Sequence, residues 1–491
     1  MQDLAELLAD QIIATQQTFA PLDRRYLINR IYQLVKTDCD FDAQGLDTPL
    51  KTAQALAQLP HKNITETEIL QAQLTDLYTP TPADLNQQFW NKYQIAPQEA
   101  TDYFYQISTA NDYVKTAAIA KNIHFAFAGQ SGTLEITINL SKPEKDPKAI
   151  ARQQTARSTD YPLDALSFTN EGFAGDDKHA ARANHRLVRL LLSGETWGLQ
   201  YSPYAYFAEH CIVVAAAQRS MKIETTTLTN LLELVRLFPH YFFGSNADLP
   251  IVGGSILAHD HYQGGRHEFP MFKAPIRQKF VLPQFTHVEA GIVDWPATTI
   301  RLQGTSASEL VVAGTQIMQT WQHYCDESVD VRAFTNDIPH HTVTPIARKK
   351  VDHYILELVL RDNQTSAQFP DGIFHPHPQW QHIKRENIGL IEIMGLAILP
   401  PRLLPELKQV KQYLLGQSAT VKDYHQAWAQ QLLREHQITP ENVDLILQKA
   451  LGQIFEQILT DTGVFKNNAQ GKQALQRFLT AVNQTSGEAL C

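Results

Sequence analysis

The 491-residue chain carries 42 basic and 51 acidic residues, for a formal charge of -9, with 43% hydrophobic and 19% charged residues. Such a composition excludes a disordered or fibrous class, and the length accommodates two to four domains. An acidic chain without a basic tract is a poor fit to nucleic acid, so a small anionic substrate held in a locally positive pocket is the better expectation.

Taken in chain order, residues 1–150 read as mostly helical, ending in a strand. The start, MQDLAELLAD, is acidic and lacks the basic and apolar regions of a signal peptide. Leu27, Ile28, Ile31, Leu34 and Val35 follow helical spacing. Asp84–Tyr93 and Ala100–Lys121 suggest further helices, punctuated by Pro80, Pro82 and Pro97. Leu134, Ile136, Ile138 and Leu140 then alternate with polar residues, the period of a half-buried strand. SKPEKDPK follows as a charged, proline-containing boundary.

The segments 151–285 and 286–403 read as mixed. Trp197–Tyr206 and His210–Ala215 suggest strands. Thr226–Phe238 suggests a helix closed by Pro239. Leu310–Val312 and Tyr354–Leu360 suggest strands, and Asn387–Leu399 a buried helix. The apolar stretch Ile388–Pro401 is interrupted by Glu392 and falls short of the roughly 20 residues a membrane span needs. Residues 404–491 read as helical. The four cysteines, Cys39, Cys211, Cys325 and Cys491, are far apart and form no C-x-x-C pair, which points to a reducing compartment. No membrane association and a cytoplasmic location are therefore expected.

The chemistry concentrates in His259, Asp260, His261, Tyr262 and Gln263. If these residues form a strand, His259, His261 and Gln263 share one face. Gly253, Gly254 and Ser255 before them can bring backbone N–H groups close to an anion. A neutral imidazole can attack phosphorus without a separate base, and a backbone carbonyl on its other nitrogen would fix the tautomer. Gln263 trades no proton but can donate a hydrogen bond to a phosphoryl oxygen. A sugar phosphate leaves without a general acid, so the absence of a third histidine suits a transferase better than a hydrolase. The bland alternative is a surface or metal-binding H-x-H pair, and a metal pair would need further ligands.

At H-D-H-Y-Q the chain resembles the histidine-triad superfamily in the form found in galactose-1-phosphate uridylyltransferases, whose motif is H-P-H-G-Q. YSPYAYFAEHCIV, GSNADLPIVGGSILAHDHYQGG, LEITINLSKPEKDPK and TPIARKKVDHYILELVLRDN resemble the second, bacterial type of UDP-glucose–hexose-1-phosphate uridylyltransferase, over roughly residues 10 to 405. The resemblance implies an α+β fold of two histidine-triad-like halves, 151–285 and 286–403, between helical ends. It implies a reversible, ping-pong exchange between UDP-glucose and galactose 1-phosphate, with UDP-hexose and hexose 1-phosphate as the binding partners of a homodimer. His261 maps to the nucleophile and Gln263 to the glutamine that steadies the transferred phosphoryl. His259 maps to the first histidine, a zinc ligand in the better-known type. Asn246 maps to a phosphate contact.

The chain departs from the pattern where some members carry C-x-x-C: it reads Asp164, Ala165, Leu166, Ser167 ahead of Asn170, Glu171 and Gly172. Without thiolates no structural zinc and no other cofactor are expected. Arg266 and Arg348 are further phosphate candidates, each against a solvated-edge reading. His340 and His341 are candidates for the hexose pocket against a turn with no role. His375 and His377 read as loop residues, and Trp197, Tyr204 and Tyr206 as core more readily than as a uracil pocket. The competing functions are a histidine-triad-like hydrolase or dinucleotide phosphorylase and a non-catalytic nucleotide sensor.

Overall fold

A computed structural model describes residues 2–15, 19–60, 63–141, 161–254 and 256–484. Its helices and sheets make the chain α+β. Cα packing divides it into two compact units, one comprising 1–120, 142–205 and 209–219, the other 121–141, 206–208 and 220–491. Among the described residues no helix is long and apolar enough to cross a membrane.

In the first unit the helices Leu4–Thr15, Arg24–Val35, Pro49–Gln58 and Ile64–Asp76 bury one apolar stripe each. Leu8, Ile12, Leu27, Ile31, Leu56 and Leu74 meet in their shared core. Their starts follow capping chemistry: Thr48 accepts from Lys51 N with Pro49 behind it, and Asn63 and Glu66 cap each other reciprocally. The segment expected as one helix over Ala100–Lys121 is two, Pro97–Ala110 and Thr116–Ile119. Asn111 closes the first, its side chain accepting from Tyr113 N (3.0 Å). The strands Val188–Leu192, Glu195–Tyr201 and Cys211–Ala215 of this unit pair antiparallel in that order. Trp197 is fully buried among them as core.

In the second unit seven strands run in the order Ile276–Phe280, Glu289–Val293, Thr299–Gly304, His353–Asp362, His341–Lys350, Phe242–Gly244 and His261–Gly265. Each neighbouring pair is antiparallel. Their register sorts the side chains. Tyr262, Phe243, Ala347, Leu356 and Leu358 fall on one face, against the helices Thr225–Leu237 and Ala307–Gln322. Tyr262 there accepts a hydrogen bond from Asn230 of the first helix (3.1 Å). His261, Gln263, Ile346, Arg348, Glu357, Arg361 and Arg301 fall on the other face.

Two expectations are corrected here. Leu310–Val312 is not a strand but part of the helix Ala307–Gln322. Ser306 caps that helix, accepting from Glu309 N, and Leu310, Ala313, Ile317, Met318 and Trp321 keep its period. Asn387–Leu399 is not one helix but a single turn, Leu390–Ile393, followed by the strand Leu396–Leu399. Gly395 breaks it with φ +103°, a conformation open to glycine, and the chain leaves as a strand parallel to Gly132–Ile138. The helices Leu403–Leu414, Asp423–Glu435, Val443–Thr462 and Ala469–Gln484 complete this unit.

Candidate active site

The site is built on the second unit's short strand His261–Gly265. The strand begins at His261, so His259 lies in the bend before it, not on the shared strand face the alternation suggested. The His259 carbonyl oxygen lies 2.8 Å from Nδ1 of His261. A carbonyl only accepts, so the Nδ1 proton is fixed and the lone pair stands on Nε2. Both histidines are buried, at 1% and 5% exposure, which limits competition from water at the imidazole.

Glycines let the neighbouring chain close in. Gly264 lies opposite Phe243 in the pairing with Phe242–Gly244. A Cβ there would sit 2.4 Å from the Phe243 ring and 2.5 Å from the Phe242 carbonyl. Past the strand, Arg266 N donates to Ala208 O (3.3 Å), and Nε2 of His267 lies 2.8 Å from a Glu135 carboxylate oxygen.

The loop before the motif folds against Asn246. Gly254 packs on its side-chain amide, where a Cβ would come within 2.6 Å of Nδ2. Gly253 has no room for a Cβ either, with the carbonyls of Ala247 and Leu249 at 2.5 and 2.6 Å. Asn246 Oδ1 accepts from Leu390 N (2.9 Å), and Asn387 Nδ2 donates to Gly253 O (3.3 Å). Segment 387–390 therefore holds both Asn246 and the glycine pair, a support the sequence reading missed. Ser255 lies outside the described residues.

Arg348 shares the sheet face of His261. Its guanidinium lies 3.3 Å from Glu357 and 4.8 Å from the Phe272 ring centroid, so its hydrogen-bonding fork is partly committed. Arg301 donates from Nε to the same Glu357 oxygen (2.6 Å). Arg361, also missed, is 1% exposed on this face and donates to Ile388 O (2.8 Å). Burial pushes its guanidinium down to about 10, and the nearby Glu392 carboxylate opposes that shift. Three guanidinia against the carboxylates of Glu357 and, near Arg361, Glu392 leave this face locally positive inside an acidic chain, an environment suited to a pyrophosphate. The signal was present in the sequence: Glu357 and Arg361 interrupt an apolar strand four residues apart, which puts them on one face.

The other candidates have structural surroundings. His341 is fully buried, stacked on Trp321 at 3.9 Å and 3.1 Å from Asp362. His377 stacks on Phe369 at 4.0 Å. In the first unit Asp164 accepts from Leu166 N and Ser167 N (2.8 and 3.0 Å), and Asn170 Nδ2 donates to the Asp164 carbonyl (2.6 Å). Residues 164–167 thus form a hydrogen-bonded turn. Among the described residues no group of three or more His, Cys, Asp or Glu is placed to hold a metal ion.

An imidazole of fixed tautomer, a glycine-lined approach and a positive sheet face are the equipment of a nucleotidyltransferase. Comparison with known proteins agrees. Residues 17–219 match the family model for the N-terminal domain of galactose-1-phosphate uridyl transferase, and residues 233–430 match the one for its C-terminal domain. A galactose-1-phosphate uridylyltransferase of Pediococcus pentosaceus is 52% identical over 97% of this chain and 99% of its own length. One from Lactiplantibacillus plantarum is 53% identical over 96% and 98%. Among solved structures, yeast Ap4A phosphorylase Apa2 aligns with a TM-score of 0.34 at 12% identity, covering 67% of this chain and 91% of its own, a likeness too slight to bear on function. The chain belongs to the galactose-1-phosphate uridylyltransferase family.

Proposed function

We propose that the chain transfers a uridylyl group reversibly from UDP-glucose to galactose 1-phosphate, by way of a uridylyl group held on His261. In the first half, the Nε2 lone pair attacks the α-phosphorus of UDP-glucose. The N–P bond forms as the P–O bond breaks, and glucose 1-phosphate leaves with the electron pair. In the second half, a phosphate oxygen of galactose 1-phosphate attacks the same phosphorus, UDP-galactose departs, and the pair returns to Nε2. No general acid is needed, because both leaving groups are stable anions or a neutral imidazole.

The His259 carbonyl on Nδ1–H carries this reading. It sets the tautomer beforehand and stabilises the positive charge that the ring acquires as Nε2 bonds to phosphorus. Gln263 follows His261 on the same strand face, and its amide donates to a phosphoryl oxygen. Asn246, Gly253 and Gly254 frame the approach of the pyrophosphate, and Arg266 and Arg348 add positive potential. The enzyme works in the cytoplasm as a homodimer, without nucleic acid or membrane partners, as the resemblance and the acidic composition support, and without a resident metal, since residues 164–167 offer no thiolate.

The test is steady-state kinetics with both substrates varied. Parallel double-reciprocal lines, with glucose 1-phosphate released in proportion to UDP-galactose formed, are expected. Intersecting lines, or UMP appearing in place of UDP-galactose, would refute the covalent exchange. Sedimentation at equilibrium checks the dimer, which a single-chain mass would refute.

A further inference from the structure

The segment 378–390 has two ends in different surroundings. Its last residues hold the glycine pair and Asn246, through Asn387 Nδ2 to Gly253 O (3.3 Å) and Leu390 N to Asn246 Oδ1 (2.9 Å). Its first residues, Trp380, His382 and Arg385, form one wall of a cavity of about 890 Å³. Tyr424, Trp428 and Arg434 of the helix Asp423–Glu435 form the facing wall. The uridylyl transfer uses neither wall.

Both walls are fixed from behind. The His382 ring lies 5.3 Å from His425 and 5.5 Å from Trp428. Arg402 donates from Nη1 to the His382 carbonyl (3.1 Å) and pairs with Glu406 (2.8 Å), tying the segment to the helix Leu403–Leu414. The two other guanidinia are only weakly committed. Arg385 is 72% exposed and has its paired carboxylate, Asp371, at 3.9 Å. Arg434 is exposed and makes no ion pair among the described residues. The acidic lining residue Glu386 is 3.7 Å from Lys384.

Two indoles and a phenol suit the apolar face of a sugar ring, and weakly committed guanidinium forks suit a phosphate. The volume falls in the range of small-molecule sites, roughly 300–1,000 Å³. We propose that this cavity is a second, non-catalytic site for a phosphorylated sugar, and that its occupancy acts on the glycine loop through segment 378–390. Binding at one end of the segment changes the free energy of the arrangement at the other, so an effector there alters the apparent affinity for the UDP-sugar.

The probe is glucose 6-phosphate, whose phosphate is not on the carbon used in the transfer. It is titrated against tryptophan fluorescence and, in parallel, by calorimetry. The proteins are the parent, His261→Ala and Arg385→Ala/Arg434→Ala, whose substitutions are exposed and should leave the melting temperature unchanged. A saturable response is expected in the parent and in His261→Ala, and it should persist at saturating UDP-glucose with a shifted midpoint, since the coupling is reciprocal. Binding should weaken at least ~10-fold in the arginine variant, since loss of charged hydrogen bonds amounts to about 1.5 kcal/mol or more. The KM for UDP-glucose should shift with glucose 6-phosphate in the parent only. Absence of a saturable response overturns the site, as does equal binding by the arginine variant, an equal response to glucose without its phosphate, or full competition by UDP-glucose. An unchanged KM overturns the coupling. Binding is read without turnover, so failure here is separate from failure of the uridylyl exchange.

Discussion

At the scale of single residues, the site divides labour between backbone and side chains. The His259 carbonyl faces the His261 ring, so replacing the His259 side chain leaves that acceptor in place, whereas His261→Ala removes the imidazole we propose as the nucleophile. Asn246 allows two roles to be separated. Asn246→Ala deletes the acceptor of Leu390 N and opens space against Gly254. We expect a loss of about 1–3 kcal/mol in chemical denaturation together with a raised KM. Asn246→Asp keeps the acceptor oxygen but places a negative charge near the pyrophosphate path. It should keep most of the stability and still raise the KM for UDP-glucose several-fold. An Asp variant with unchanged KM would reduce Asn246 to a structural tie.

At the scale of elements, the catalytic strand depends on close approach and its sheet on buried charge. Gly264→Ala puts a methyl group against backbone as well as ring, so neither neighbour can simply rotate aside. The expected destabilisation is about 1–3 kcal/mol, with a fall in kcat because the same strand carries His261. Glu357 is fully buried and pairs with both Arg301 and Arg348. Glu357→Gln leaves two guanidinia facing one another and should cost about 3–5 kcal/mol by denaturant titration. A loss below ~1 kcal/mol would mean that solvent reaches these side chains.

The same elements show what was legible. The helix ending before Pro239 could be read because local rules of spacing and capping decide it, whereas the alternation that put His259 on the strand face failed because the strand begins only at His261. The single turn at Leu390–Ile393 could not, since an apolar run looks alike as helix or strand and the break at Gly395 is set by pairing with Gly132–Ile138. Leu310–Val312 misled for the opposite reason: a three-residue apolar run was read without the Ser306 cap and the longer helical period around it. Arg361 and Asn387 were missed because their roles depend on partners far away in the chain.

At the scale of the whole molecule, buried histidines set the response to acid. Burial pushes His375 and His382 down to about 4 from the usual 6.5, with Arg361 and His425 respectively reinforcing the effect. Burial, with Arg182, also lowers His185 well below the usual value. Asp371 draws His375 the other way, and Lys384 adds to the lowering. A depressed histidine stays neutral in the fold while the unfolded chain takes up a proton, so stability falls as the pH drops from about 6.5 to about 4. The melting temperature should fall over that window, and His375→Asn should make the fall shallower. An unchanged slope would place His375 in contact with solvent. Composition left the positive sheet face invisible, because net charge averages over what the register concentrates.

The central claim is that His261 carries the uridylyl group, and intact mass spectrometry at mildly alkaline pH tests it most directly. Protein mixed with UDP-glucose alone should gain the mass of one uridylyl group and lose it when galactose 1-phosphate is added, while His261→Ala gains nothing. An adduct that persists in His261→Ala, or turnover to UDP-galactose by that variant at the parent's rate, would contradict the account.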